Sequence, residues 1–412
     1  MSRSTSAPFK GRRVLLCVTG GIAAYKTPEL VRCLVKAGCE VEIILTRAAE
    51  KFVTPLTLST LSGRRAWREE DLLSDERGFG IPHIRLAEWA EAVVVAPCTA
   101  NTAAVLAQGL AQGLIGAALL AARAPVMVFP AMNVHMLEHP ATQENLRVLA
   151  GRGVRVVEPA VGALACGEEG RGRMPEPEEI AEEVFRALTP KDMEGLHVLV
   201  TAGPTREYLD PVRFISNPST GRMGLAMARE AWRRGAEVRV VLGPIEAPCP
   251  LHGFEVLPVV SALEMRDAVT ASLPWAHVIV KAAAVGDYRA KQRAERKVKR
   301  EGREELSIEL TQNPDIAAEV GSSKRPDQIL IGFAAETDDL LRNARAKLES
   351  KGLDAILVND VLAPGCGFAS ETNTLRLICR NGEDKSFSGL KEDVARAAWG
   401  ALAGQGLFPP MH

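Results

Sequence analysis

One pattern constrains this chain more than any other, and it occurs twice. A short, mostly apolar segment runs into a glycine turn and then a helical stretch, after which apolar segments and helices alternate. In the first copy, residues 13–19 are rich in Val and Leu, Gly20 and Gly21 follow, and a helical pattern covers 23–37. Further apolar segments lie at 41–46, 92–96 and 126–130, with a small-residue helix at 103–122. The pattern restarts at 197–201, runs through Ala202-Gly203-Pro204-Thr205, and enters a helix at 222–234 with Gly235 as its cap. Apolar strands at 237–242, 277–281, 328–333 and 355–358 then alternate with helices at 262–273 and 338–350. Strands that are apolar at every position belong to parallel sheets covered on both faces. Joined by right-handed crossovers, they predict an α/β chain of two doubly wound Rossmann-like domains, with a flavodoxin-like parallel sheet in the first. The linker Thr189-Pro190-Lys191-Asp192 places the domains at 1–190 and 191–412.

Composition narrows the partners. A net charge of −1 over 412 residues supplies no global field to draw the chain to nucleic acid or a membrane. The longest apolar stretch, 114–122, falls far short of the ~20 residues that span a bilayer. The eight cysteines are scattered and none forms a CxxC pair, which argues against a disulfide framework or a zinc knuckle. A cytoplasmic protein acting on small molecules is expected.

In the first domain, Thr19-Gly20-Gly21-Ile22-Ala23-Ala24-Tyr25-Lys26 turns a strand through glycine into a helix, where free N–H groups favour phosphate. It lacks the GxGxxG fingerprint, which disfavours a nicotinamide oxidoreductase. Taken alone, it serves equally as a structural turn. Pro97-Cys98-Thr99-Ala100-Asn101-Thr102 also follows a strand, and its hydroxyls and amide can cap a helix or bind a ligand. Asn133, in Pro130-Ala131-Met132-Asn133, sits where open sheets bind ligands, as a turn residue or an amide donor to a carboxylate. His83 lies among apolar neighbours, a structural residue or a proton carrier. The stretch 162–174, rich in glycine and charge, reads as a mobile loop with an accessible Cys166.

Over residues 12–188 these five segments, in this order, resemble the flavin-containing cysteine decarboxylases. That resemblance implies FMN, held by Gly20, Gly21, Thr99, Asn101 and Thr102. It implies His83 as a base or proton-transfer group, Asn133 on the substrate carboxylate, and Cys166 as the proton donor to an enethiolate. Oxidation of the thiol carbon by the flavin provides the electron sink that a cysteine-derived carboxylate lacks. Two positions depart from the family pattern: Cys98 stands for Ala near the flavin, and Leu137 for Trp, a change expected at the pocket rim. Relatives of the same group leave two further readings of this domain, a peptide-cysteine decarboxylase and a flavin-binding regulatory subunit.

The second domain carries Thr201-Ala202-Gly203-Pro204-Thr205-Arg206-Glu207, then Asp210 to Asn217, then Ser219-Thr220-Gly221 opening a helix. No GxxxxGK[ST] is present, which argues against a P-loop ATPase. The basic run KQRAERKVKREGR at 291–303 is either a solvated face or a loop able to neutralise a triphosphate. Asp287 offers a carboxylate for Mg2+ beside phosphates. Asn313-Pro314-Asp315-Ile316 reads as a helix cap or a nucleotide contact, and Lys347 and Lys351 share a helix face.

Residues 195–400 resemble the phosphopantothenate–cysteine ligases, through Thr201 to Glu207, Asp210 to Asn217, Lys281-Ala282-Ala283-Ala284-Val285, Asn313 to Ile316 and Gly332-Phe333-Ala334-Ala335-Glu336-Thr337. The family's Lys-x-Lys-Lys element appears as Lys297-Val298-Lys299-Arg300, ending in Arg. The resemblance implies CTP and Mg2+, activation of 4′-phosphopantothenate as an acyl-cytidylate, and displacement of CMP by cysteine. Lys297 would act at the α-phosphate, Asn217 on the acyl-cytidylate, and Arg213 beside them. Ala283, Ala284, Asp287, Pro314, Asp315, Ile316, Ala317, Phe333, Lys347 and Lys351 would bind CTP together with Lys297, with Asp287 on the metal. It also implies a homo-oligomer, a dodecamer built from decarboxylase trimers and ligase dimers.

Overall fold

The computed structural model describes residues 7–73, 81–163, 167, 169–245, 252–299, 307–336, 340–360, 370–382 and 384–408. The chain forms two compact units, Met1–Thr189 and Pro190–His412.

The first unit is built on β1 (Arg13–Val18), β2 (Glu40–Leu45), β3 (Trp67–Arg68), β4 (Ala92–Cys98), β5 (Val126–Pro130) and β6 (Arg155–Val156), all parallel in the order β3-β2-β1-β4-β5-β6. The uniform apolarity has a simple cause. Val14, Leu16 and Val18 of β1 enter one core, while Leu15 and Cys17 enter the core on the opposite face. Val94 and Ala96 of β4 join the first core, and Val93 and Val95 the second. Strand order reverses between β1 and β4, which makes the carboxyl edge of that pair the ligand crevice of such a sheet.

Several elements differ from expectation. The helix expected over 23–37 is a 3-10 turn, Ile22–Lys26, followed by the helix Thr27–Lys36. The helix expected over 103–122 is two, Ala100–Ala107 and Gly113–Ala121, because Gly109 and Gly113 both take positive φ and break the run. The stretch read as a mobile loop contains an antiparallel hairpin, β7 (Ala160–Ala163) with β8 (Glu169–Arg173). Leu137, expected at a pocket rim, is a buried member of the second core.

The second unit carries β9 (His197–Ala202), the small hairpin β10 (Arg206–Tyr208) and β11 (Phe214–Ser216), β12 (Glu237–Leu242), β13 (Glu255–Pro258) and β14 (Val278–Lys281). A second antiparallel pair follows, β15 (Tyr288–Ala290) with β16 (Leu310–Gln312), and then β17 (Ile329–Glu336), β18 (Ala355–Asp360), β19 (Thr372–Cys379) and β20 (Asp384–Leu390). The main sheet runs β13-β12-β9-β14-β17-β18-β19-β20. It is parallel as far as β18 and antiparallel through β19 and β20, so it is mixed. β19 alternates buried and half-buried residues along much of its length, a signature that a search for unbroken apolar runs passes over. The helix Lys391–Gly404 closes one face, where the buried Trp399 donates from Nε1 to Met227 O at 3.0 Å. Among the described residues no helix is long and apolar enough to cross a membrane.

Candidate functional sites

In the first unit, the switch between β1 and β4 is tied by one side chain. Thr19 donates from Oγ1 to Pro97 O at 2.7 Å and accepts from Thr99 N at 3.2 Å. Gly20 is forced by close packing, since a Cβ there would lie 2.2 Å from Ala48 Cβ and 2.9 Å from the Ala48 carbonyl carbon. Gly21 differs, because a Cβ would meet only Thr99 Cγ2, at 3.8 Å, and would project into the space the turn leaves in front of Thr99. Thr99 caps the helix Ala100–Ala107 by accepting from Thr102 N at 3.3 Å. Thr102 is buried and Asn101 is exposed on the first turn. The Cys98 thiol is fully buried, and burial pushes its pKa up to about 12, so it presents a neutral surface there.

His83 occupies the first turn of Pro82–Trp89, the helix that delivers the chain to the start of β4. A helix in that position runs back along the sheet, so its first turn lies toward the carboxyl edge. The His83 Nδ1 is shielded from water and has no hydrogen-bond partner among the described residues. An orphaned ring nitrogen in that position suits a bound ligand.

Asn133 follows β5 and caps the helix Val134–Glu138, its Oδ1 accepting from His135 N at 2.8 Å. That bond commits the oxygen and orients the amide. The β7–β8 hairpin docks on the same loop: Met132 N donates to Gly172 O at 3.0 Å, and a Cβ on Gly170 would rest 3.4 Å from Val134 Cγ2. A Cβ on Gly172 would lie 2.2 Å from Met132 O, so glycine is what permits the approach. Lys26, buried at the end of the glycine turn, donates from Nζ to Met174 O at 3.1 Å and Glu176 Oε1 at 3.0 Å. The glycine turn, the Asn133 loop and the hairpin are thus one connected assembly. Cys166 lies outside the described residues, between the paired Ala163 and Glu169 in sequence.

In the second unit, the strand order reverses between β9 and β14, whose carboxyl ends are laced together. Ala284 N donates to Gly203 O at 2.9 Å, Ala283 N to Thr201 Oγ1 at 3.2 Å, and Gly286 N to Thr205 Oγ1 at 2.9 Å. Asn217 donates from Nδ2 to the carbonyls of Ala284 and Val285, both at 3.2 Å. Beside this edge lies a cleft of about 230 Å³. Of the expected nucleotide residues, Ala283, Asp287, Pro314, Asp315, Ile316, Ala317, Phe333, Lys347 and Lys351 line it; Ala284 and Lys297 do not. Asp315 caps the helix Ile316–Ser323 through Ala318 N at 3.1 Å and pairs with Lys351 at 2.9 Å. Burial alone would raise its pKa, but the Lys351 ammonium and the backbone donors hold it below the usual carboxylate range. Gly321 allows that pairing, since a Cβ there would lie 1.9 Å from Lys351 O.

Arg213 and Lys297 meet through a neighbour. Arg213 donates from Nη1 to Val298 O at 3.0 Å, and the fully buried Asp210 accepts from Val212 N and Arg213 N, each at 2.8 Å, and from Val298 N at 3.2 Å. Lys297 itself is exposed, and Arg300 lies outside the described residues. Sequence reasoning gave Asp210 no role; its three backbone contacts have no local signature.

A metal would find limited protein ligation in the cleft. Among the described residues the one group of three ligating side chains is Glu29, Cys33 and Glu178, in the other unit. Asp287 is exposed at the cleft, and Asp315 is engaged by Lys351, an arrangement that fits Mg2+ carried on phosphate oxygens rather than held by a protein cage.

Two family models match the chain in tandem: a flavoprotein model over residues 2–189, and the C-terminal domain of DNA/pantothenate metabolism flavoproteins over residues 193–404. The coenzyme A biosynthesis bifunctional protein CoaBC of Bacillus subtilis (strain 168) is 44% identical over 380 residues, 92% of this chain and 93% of its own length. The protein of the same description from Escherichia coli (strain K12) is 44% identical over 376 residues, 90% of this chain and 92% of its own. A crystal structure of the C-terminal domain of such a protein is 36% identical, covers 52% of this chain and 97% of that one, and superposes with a TM-score of 0.44. A flavoprotein half and a pantothenate-metabolism half, matched end to end by full-length relatives, place the chain in the family of bifunctional coenzyme A biosynthesis proteins.

Proposed function

We propose that the chain joins cysteine to 4′-phosphopantothenate at the expense of CTP and then decarboxylates the product to 4′-phosphopantetheine, two successive steps of coenzyme A biosynthesis. The observation that carries the reading is the lining of the second unit's cleft, where a capped helix start, Lys347, Lys351 and Asp287 converge beside Asn217. A free carboxylate is a poor acyl donor, so activation must precede amide formation. Lys347 and Lys351 would neutralise the triphosphate, with Asp287 on the attendant Mg2+. The Asp210 hub would hold Arg213 and Lys297 for the attack on the α-phosphate. Asn217, fixed by two carbonyls, would face the acyl-cytidylate.

In the first unit FMN, when bound, supplies the hydride acceptance that makes loss of the carboxylate possible. Gly20, Gly21 and Thr99 would form its cradle, with Asn101 and Thr102 on the adjoining turn. Asn133 would orient the substrate carboxylate and His83 would move a proton at its imidazole. Proton donation by Cys166 rests on the sequence resemblance. Homo-oligomerisation as trimers of the first unit and dimers of the second, giving a dodecamer, belongs to the same proposal, as does a cytoplasmic location. The exposed Val212, Phe214 and Ile215 on the small hairpin are consistent with a covered face.

Incubating the purified protein with phosphopantothenate, cysteine, CTP and Mg2+ tests the whole reading. CO2 and 4′-phosphopantetheine should appear only with CTP, alongside CMP and pyrophosphate. Release of CMP without CO2 leaves the ligase and removes the decarboxylase. A folded, FMN-loaded protein giving neither product overturns both.

Two substitutions separate the halves. Gly20→Ala sets a Cβ against Ala48 and is expected to strip most of the yellow flavin absorbance while CMP release persists. Asn217→Asp replaces a donor to two carbonyls with a carboxylate that repels them. It should slow CMP release on the order of a hundredfold, with CO2 release from supplied phosphopantothenoylcysteine unchanged.

A further inference from the structure

Lys281 ends β14, after three buried apolar residues, and lines the floor of the second unit's cleft. It is 8% exposed, and its Nζ is sealed from water with no hydrogen-bond partner among the described residues. The opposite charge that acts on it cannot serve, because the Asp315 carboxylate is committed to Lys351 at 2.9 Å and to Ala318 N at 3.1 Å. A buried donor left unmet in the protein, on a residue that lines a cleft, is a group completed by what the cleft binds.

The surroundings indicate which part of a ligand that is. Gly332, the register partner of Lys281 on β17, lies against the buried Leu353 and Ile356, since a Cβ there would sit 2.6 Å from Leu353 Cδ1 and 3.6 Å from Ile356 Cγ1, and all three line the same cleft as Lys281. Lys351 and Asp287 are more exposed than Lys281, as suits a hydrated polyanion and its cation. A single donor set beside apolar side chains on the strand floor suits a flat, uncharged heterocycle carrying an acceptor. We propose that Lys281 Nζ donates to an acceptor on the edge of the nucleotide's base, a ring nitrogen or a pyrimidine carbonyl, and thereby helps set which nucleotide the ligase accepts. This rests on the reading of the cleft as the CTP site. Burial also pushes the Lys281 pKa down to about 7, which leaves much of the amine uncharged at neutral pH and matched to a neutral partner.

Lys281→Met should raise the KM for CTP about tenfold. It should leave the KM for cysteine and inhibition by inorganic pyrophosphate unchanged. Lys281→Gln, which keeps a shorter donor, should recover part of the loss. Weakened pyrophosphate inhibition in step with the CTP defect would make Lys281 a phosphate ligand and overturn the proposal. An unchanged KM for CTP would make it a structural residue and overturn it equally. Should the variants misfold, wild-type protein treated with acetic anhydride decides by peptide mass spectrometry. Protection of Lys281 by cytidine but not by pyrophosphate supports base contact; the reverse, or protection by neither, removes it. Wild-type enzyme indifferent to CTP would sink the reading of the cleft itself, whereas a CTP-dependent wild type with an unaffected variant sinks only this inference.

Discussion

Gly172→Ala should lower the turnover of supplied phosphopantothenoylcysteine on the order of a hundredfold without removing FMN or slowing CMP release. The new Cβ would lie 2.2 Å from Met132 O, at a φ of 143° that side chains avoid. Relief requires the hairpin to move off the loop, which breaks the bond from Met132 N to Gly172 O at 3.0 Å. Asn133 is the next residue, so the loop that carries its amide, proposed to face the substrate carboxylate, shifts with it. Displacement by about 1 Å is enough for a loss of that size. The space at Gly20 and Gly21 is bounded by Ala48 and Thr99 and not by the hairpin, so the yellow colour should remain. Turnover at the wild-type rate would show that hairpin docking does not position Asn133.

Lys281→Met should make the second unit more stable, and the gain should depend on pH. The folded pKa is about 7 against an ordinary value of 10.5. Below pH 7 the amine is charged in both states and the folded state carries the full cost of burying it. Between pH 7 and 10.5 the unfolded state binds more protons, so the stability of the wild type rises with pH. Above that range the cost is gone. Methionine is close in size and uncharged, so the variant should melt about 10 °C higher near pH 6, from a difference on the order of 4 kcal/mol. The gap should close toward pH 10. Thermal melts of both proteins across this range measure it, and a constant or widening gap would contradict the assigned burial cost. With the expected rise in KM for CTP, the residue would trade stability for nucleotide binding.

The strands and the two glycine turns were legible because each central strand feeds two cores at once, which leaves few polar positions along it. The β7–β8 hairpin was not. Its sequence is glycine and charge, and what fixes it is backbone pairing and docking on Met132 and Val134, which involve residues distant in the chain. β19 escaped for the opposite reason, since its apolar residues alternate with polar ones. At the sites, residues ending strands could be named from sequence because the carboxyl edge of an open sheet is where ligands lie. Lys281 stood in a quoted motif without a role. A lysine at the end of an apolar strand ordinarily reaches water, and only the folded structure, in which its Nζ is shielded, shows that this one does not.

The docking of Gly170 and Gly172 on the 132–134 loop also bears on how the protein can change over generations. Two segments nearly 40 residues apart share one surface, in which a carbon added at Gly172 would strike the Met132 carbonyl and one at Gly170 would rest on Val134. A lineage drifting at Met132 or Val134 must find a compatible change on the hairpin, or keep its glycines while the loop holds still. The loop proposed to face the substrate and the hairpin beside it are therefore expected to vary as a pair, so that new substrate preferences in this fold would arise by exchanging both segments together.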